Sequence, residues 1–153
     1  MLCPKLSRLD EVNTTARQYL NSLSEAQKLL DIQRCEQAIT LVLESLLGGS
    51  LVMTCGNGGS GANASHYVND WVKGVSKTIA SKPKVICLND NIPSLTAISN
   101  DIDFSEVFSA QLSNLGSSGD LLVVVSGSGN SKNILKASAR STSTYKKSII
   151  YIF

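Results

Sequence analysis

Residues 51–60 are LVMTCGNGGS, and residues 121–131 are LLVVVSGSGNS. In each stretch a short apolar run is followed directly by glycine together with asparagine or serine. This order predicts a buried strand that turns sharply and enters a helix. Two such units in one short chain predict an α/β fold with a mostly parallel sheet.

The two glycine-rich turns also predict a binding site for an anion. Glycine lets backbone N–H groups approach a ligand closely, and serine adds hydroxyl donors. The helix that follows such a turn carries roughly half a positive charge at its N-terminus, which suits a phosphate. A phosphorylated small molecule is therefore the leading ligand class. The alternative is that the serines of the second turn are ordinary helix N-caps.

Length and composition narrow the class of protein. At 153 residues, with 42% hydrophobic and 17% charged residues, the chain suits one soluble globular domain. Its net charge of +2 is too small to predict a nucleic-acid surface, and the low charged fraction favours contact with other subunits. No apolar stretch approaches the roughly 20 residues of a membrane span, and the N-terminus lacks a signal-peptide pattern. We therefore expect a cytoplasmic protein without a membrane partner.

The spacing and positions of the four cysteines are consistent with a cytoplasmic protein. Cys3, Cys35, Cys55 and Cys87 include no CxxC pair. Cys55 and Cys87 lie in or beside predicted buried strands. These features predict a reduced protein without disulfides or a zinc cluster of cysteines.

The remaining sequence predicts alternating helices and strands. Residues 6–49 predict two helices with a break near Asp31 and Ile32, because proline and glycine are absent from 6 to 47. Further strands are predicted near 50–55, 84–88, 120–125 and 148–153, and further helices near 60–74, 93–99, 104–115 and 131–143. Nothing follows the last predicted strand to cover its faces, so we expect the chain to lack its natural C-terminal portion.

Three segments resemble the sugar isomerase (SIS) domain family, and within it the phosphoheptose isomerase branch. They are Gly56–Ser60 followed by His66 and Asp70, the segment from Asn89 to Ser109, and Ser126–Ser131 with the residues up to Ala137. The resemblance implies a three-layer SIS-type fold behind an N-terminal helical pair, with the last strand and helix missing here. It also implies one domain over 1–153, in which residues 1–48 serve oligomer packing in a homotetramer and residues 50–153 bind the phosphosugar.

The same resemblance implies a function and a set of contacts. The activity would be an aldose–ketose isomerisation of sedoheptulose 7-phosphate to D-glycero-D-manno-heptose 7-phosphate, a heptose precursor of lipopolysaccharide or capsule. The implied substrate contacts are Asn57, Gly58, Gly59, Ser60, Asn100 and Asp101, with Ser126, Gly127, Ser128 and Ser131 around the phosphate.

His66 and Asp70 are the candidates for the chemistry. They are four residues apart on a predicted helix and so share a face. Spacing alone favours a histidine that bonds its own helix beside a surface aspartate. The resemblance instead implies that both hold a divalent metal, zinc, and that both are catalytic, with Asp70 as the base that moves a proton between adjacent carbons.

Two departures from the branch affect this assignment. The branch has glutamate where this chain has Asp70, whose carboxylate reaches about 1.5 Å less far. The branch's other acid/base histidine and a metal-binding glutamine lie on a C-terminal helix that this chain lacks, and His66 is the only histidine. We expect the chain to bind phosphosugar weakly and to isomerise it negligibly.

Two other functions stay open. The chain suits a non-catalytic SIS module that senses a sugar phosphate or binds a regulatory protein partner, and loss of the glutamate favours this alternative. It also suits a truncated gene product whose fold is incomplete. The retained His66, with a carboxylate four residues later, favours the isomerase.

Overall fold

The computed structural model of the chain describes residues 9–75, 77, 82–144 and 148–152. The chain separates into two compact units, Met1–Gln37 and Ala38–Phe153, whose boundary lies within the second helix. The elements in chain order are α1 (Leu9–Lys28), α2 (Ile32–Leu47), β1 (Leu51–Gly56), α3 (Gly59–Asp70), β2 (Lys84–Cys87), α4 (Ile92–Asp101), α5 (Ser109–Leu115), β3 (Leu121–Ser126), α6 (Lys132–Thr144) and β4 (Ser148–Ile152). Among the described helices, none combines the length and the hydropathy of a membrane span.

The four strands form one parallel sheet in the order β2-β1-β3-β4. From β1 the chain first adds β2 on one side and later adds β3 and β4 on the other. The direction of winding therefore reverses between β1 and β3, which are hydrogen-bonded neighbours with Gly56 opposite Val125. In open α/β sheets such a reversal leaves a crevice at the carboxyl ends of the two strands.

Strands β1 and β3 form the centre of the sheet, and both of their faces are covered. All of β3 is buried, and so is β1 apart from the half-buried Leu51. One face contributes to a buried cluster that contains Met53, Cys55, Leu122, Val124, Phe108, Leu112 and Ile134, and the other to a cluster of Val42, Leu46, Val52, Leu121 and Val123. Burying one such large side chain contributes about 1.5–3 kcal/mol. The two apolar runs of the sequence therefore form the middle layer of a helix–sheet–helix arrangement, as predicted.

A buried carboxylate fixes the amino ends of the two central strands. Asp120 is buried, its Oδ1 accepts the Leu51 N–H at 2.9 Å and its Oδ2 accepts the Ser117 N–H at 2.7 Å. These bonds join the turn before β3 to the first residue of β1. Asp120 therefore ties the amino ends of the two central strands together.

The predicted order of elements is confirmed, with all four strands within about one residue. The break between the first two helices lies at residues 29–31, so it includes the predicted Asp31, whereas Ile32 already begins α2. One prediction was wrong in detail. Residues 104–115 form a 3-10 turn over Phe104–Glu106 and then α5, instead of one helix. The Asp103 carboxylate accepts the Ser105 N–H at 2.8 Å and caps the short turn, while Val107 and Phe108 bury themselves in the core between the two pieces. The packing of those two side chains therefore outweighs the local tendency of residues 104–115 to form one continuous helix.

The helix predicted over 60–74 also ends differently. α3 stops at Asp70, and Trp71–Val75 form a π-helical turn. Trp71 stacks on Tyr67, with ring centroids 5.9 Å apart. Phe153, the last residue of the fourth predicted strand, lies outside the described residues.

Candidate functional site

The first predicted anion turn lies at the carboxyl end of β1 and is built around two glycines. Gly58 has φ 54°, a conformation that favours glycine. A Cβ at Gly56 would lie 2.6 Å from the backbone C and O of Ser60, so only glycine fits where the strand meets the helix. The Ser60 and Gly61 N–H groups donate to the Asn57 carbonyl and close the turn. The Ala62 N–H likewise donates to the Gly58 carbonyl at 3.1 Å, so these N–H groups hold the entry into α3 in a fixed shape at the carboxyl end of β1.

Asn89 fastens this turn to the neighbouring strand. Its Oδ1 accepts the Gly56 N–H at 3.1 Å, and its Nδ2 donates to the Gly56 carbonyl at 2.8 Å. Asn89 lies two residues after the end of β2, so its amide ties the carboxyl ends of β2 and β1 together. The backbone at Gly56 is therefore held from two sides.

The second predicted anion turn follows β3. The Ser126 hydroxyl accepts the Gly129 N–H at 3.1 Å, and the Ser128 hydroxyl accepts the Asn130 N–H at 3.3 Å. Gly129 has φ 65°, which favours glycine. Ser126 is buried, whereas Gly127 and Ser128 are exposed. Both hydroxyls organise their own turn as acceptors, and each keeps its O–H proton to donate to a ligand.

A pair of side-chain amides joins the two turns. Asn57 Nδ2 donates to Asn133 Oδ1 at 2.9 Å, and Asn133 Nδ2 donates to Asn57 Oδ1 at 2.8 Å. Asn133 stands on the first turn of α6, just after Ser131. It is absent from the predicted site residues, although a polar residue beside the apolar Ile134 and Ala137 on one helix face is a usable signal. The structure therefore brings Asn57, Gly58, Gly59 and Ser60 together with the Ser126–Ser131 turn.

His66 and Asp70 share an exposed face of α3. His66 Nε2 lies 3.7 Å from Asp70 Oδ2, and their side chains are 69% and 58% exposed. This distance is longer than a hydrogen bond. The predicted i, i+4 pairing is present, but water has free access to both groups.

The predicted metal site is incomplete in this part of the chain. A catalytic zinc ion has three protein ligands in most enzymes. His66 and Asp70 supply two, and within residues 9–75, 77, 82–144 and 148–152 no group of three or more His, Cys, Asp or Glu side chains is placed to hold a metal. These residues alone therefore do not fit a complete metal centre, and zinc stays a prediction.

Asn100 and Asp101 form the C-terminal end of α4. The Asn100 amide donates to Asp101 Oδ1 at 2.7 Å, and both residues are exposed. No hydrogen bond described here joins either of them to the two anion turns. Their predicted contact with substrate stays a prediction.

Two thiols near the turns are poor candidates for chemistry. Burial is the main cause that raises the pKa of the Cys55 thiol, and burial also raises the pKa of the Cys87 thiol. Both therefore stay protonated near neutral pH, and a thiol rather than a thiolate is a weak nucleophile. Cys35 is free as well, and Cys3 lies outside the described residues.

The sequence that carries the two turns matches a known family. A sequence profile of the SIS domain matches residues 13–145. The chain belongs to the SIS domain family. Among solved structures, it is similar to the phosphoheptose isomerase of Neisseria gonorrhoeae, with a TM-score of 0.77 and 32% identity over 92% of this chain and 71% of that one. It is also similar to a phosphoheptose isomerase of Francisella tularensis, with a TM-score of 0.80 and 27% identity over 93% and 72% of the two chains.

The sequence relatives of this SIS domain carry the same name. The phosphoheptose isomerase of Colwellia psychrerythraea is 36% identical over 129 residues, which are 84% of this chain and 65% of that protein. The chain spans about half to two thirds of the length of the curated relatives it matches. These comparisons confirm the predicted family and fold class.

Proposed function

We propose that this SIS domain acts as a phosphoheptose isomerase. It would bind sedoheptulose 7-phosphate and convert it into D-glycero-D-manno-heptose 7-phosphate, a precursor of surface-glycan heptose. The observation that carries the proposal is the junction of two anion turns at the winding reversal of the sheet. The similarity to proteins named phosphoheptose isomerase supports the choice of sugar phosphate.

In this proposal the phosphate lies against the second turn. The hydroxyls of Ser126, Ser128 and Ser131, with the Gly127 N–H and the N-terminus of α6, offer several donors to a dianion. Charge-assisted hydrogen bonds of this kind are roughly twice as strong as neutral ones. The sugar then extends toward the first turn, where Asn57, Gly58, Gly59 and Ser60 are close to it, and toward Asn100 and Asp101.

The proton transfer is assigned to the exposed pair on α3. An aldose–ketose conversion moves a proton between two adjacent carbons, and a positioned carboxylate such as Asp70 can accept and return it. His66, on the same face, is the second group that can exchange a proton with the sugar oxygens. A divalent ion held by this pair with further ligands would polarise the carbonyl, and metal analysis of the purified protein tests that prediction.

One observation favours the non-catalytic alternative. His66 and Asp70 are both more than half exposed, and proton transfer to a sugar is favoured by a site that excludes water. A phosphosugar-binding or regulatory SIS module requires the anion turns and not this pair. Binding without turnover would therefore support the module.

Phosphorylated and free sugar are expected to affect thermal stability differently. Sedoheptulose 7-phosphate should raise Tm because its phosphate binds the second turn, and sedoheptulose should leave Tm unchanged. Ser128→Ala should weaken phosphosugar binding by about 1–3 kcal/mol, since a charged group loses a hydrogen bond. Ser118→Ala, an exposed serine in the turn before β3, is the matched control. Equal Tm shifts with the two sugars would contradict the phosphate site.

We also propose that the protein forms a homo-oligomer, specifically a tetramer, in the cytoplasm. Within Met1–Gln37, α1 exposes Leu20 by 62% and Leu23 by 44%, and large exposed apolar patches mark interaction surfaces. We expect sedimentation at micromolar concentration to detect an oligomer, and Leu20→Glu with Leu23→Glu to shift it toward monomer. Ser22→Glu, on the same helix, controls for the added charge. A wild-type chain that sediments as a monomer would contradict this proposal.

A further inference from the structure

Asn133 is a buried amide in an apolar setting. The residue is only 2% exposed, and the neighbouring Ile134 and the Ala137 one turn later are also buried. Buried polar side chains are retained when their hydrogen bonds are satisfied, because an unpaired one is costly. The partners of Asn133 therefore indicate what the residue is for.

The side-chain partner of Asn133 lies on the other turn of the site. Asn133 exchanges two hydrogen bonds with Asn57, of 2.9 and 2.8 Å, and its Oδ1 also accepts the Ile134 N–H at 3.0 Å. Asn57 precedes α3, and Asn133 belongs to the first turn of α6. The amide pair is thus a direct side-chain link between the two helix N-termini that face the crevice.

We propose that Asn133 is a positioning residue that sets the Asn57 turn for the sugar part of the ligand. A carboxamide has two N–H donors and two lone pairs on its oxygen. The reciprocal pair uses one donor and one lone pair of Asn57. One N–H and one lone pair of Asn57 remain in a fixed orientation for a sugar hydroxyl. This inference rests on the proposed function.

The link predicts different effects on two ligands. A phosphosugar contacts both turns, whereas inorganic phosphate needs only the second turn. Asn133→Ala should therefore weaken binding of sedoheptulose 7-phosphate about tenfold, the scale of one lost hydrogen bond. Binding of inorganic phosphate should change little, because the serines of the second turn keep their own contacts.

A measurement without ligand tests the link itself. The Ser60 and Gly61 N–H groups donate to the Asn57 carbonyl at 3.0 and 3.3 Å, so their hydrogen exchange reports whether the Asn57 turn is held. We expect Asn133→Ala to speed exchange of these two amides in the full chain. Asn114→Ala is the matched control, because Asn114 is exposed and bonds only within its own helix, to the Ala110 carbonyl. If Asn133→Ala fails to fold, Asn133→Ser keeps a hydroxyl for the Ile134 N–H but is too short to reach Asn57.

Each result has one meaning. Faster exchange at Ser60 and Gly61, with selective loss of phosphosugar affinity measured by calorimetry, supports the proposal. Unchanged exchange, unchanged phosphosugar affinity, or an equal loss of affinity for phosphosugar and phosphate overturns it. If wild-type protein binds neither ligand, the proposed function is wrong and the positioning role falls with it, while the exchange data still show whether the amide link exists.

Discussion

Replacing Asp70 by glutamate is expected to raise the rate of sedoheptulose 7-phosphate isomerisation about a hundredfold. A catalytic group misplaced by about 1 Å can lose that factor, and the extra methylene extends the carboxylate by about 1.5 Å. The direction follows from the position of Asp70, whose side chain is 58% exposed and whose Oδ2 is 3.7 Å from His66 Nε2, so solvent leaves room for one more methylene. Conversion should be followed with protein in excess over sugar phosphate, because the wild-type rate is expected to be very low.

Two further variants make this result interpretable. The isomerisation rate of Asp70→Asn should be about 10²–10⁴-fold lower than that of Asp70→Glu, because an amide cannot accept the proton. Asp31→Glu is the matched control, since its carboxylate is 55% exposed but lies between α1 and α2. A lower rate in Asp70→Glu than in wild type would show that the site is shaped for aspartate. No conversion by either protein, together with intact phosphosugar binding, would support the non-catalytic module.

The sequence predicts the fold well because its strongest signals are local. The runs at 51–55 and 121–125 are apolar apart from Thr54, so they predict strands buried on both faces, and every residue of β3 is buried. Gly48 and Gly49 mark the end of α2 as expected. The split of residues 104–115 was missed because it depends on how Val107 and Phe108 pack against other elements, which no local pattern contains.

The site was only partly predictable for the same reason. Glycine and serine at each turn predict the two anion turns. Whether the two turns lie side by side depends on the order of the strands in the sheet. The amide pair of Asn57 and Asn133 joins residues 76 positions apart, and spacing within either motif does not predict it. The exposure of His66 and Asp70 is likewise a property of where α3 packs, not of its sequence.

Gly56→Ala is expected to lower the free energy of unfolding by about 3 kcal/mol, near the upper end for overpacking a well-packed position. The added Cβ would lie 2.6 Å from the backbone C and O of Ser60 and 2.8 Å from the Gly61 nitrogen. These are backbone atoms of the first turn of α3, so no side chain can rotate away to make room. Asn89 also holds both the N–H and the carbonyl of Gly56, and β3 pairs with it at Val125.

Because the strain cannot relax at the strand, we expect α3 to move at its N-terminus and phosphosugar binding to fall with stability. Gly59→Ala is the matched control for stability, since it is the same change three residues later, and the added Cβ would have no atom within 4 Å beyond its chain neighbours and its own helix backbone. Gly59 has no positive φ, so alanine there should be neutral or slightly stabilising in the first turn of the helix. Urea unfolding of both variants measures the difference. Similar unfolding midpoints for Gly56→Ala and wild type would contradict this prediction. The close approach of β1 to α3 would then not be the reason that position 56 requires glycine.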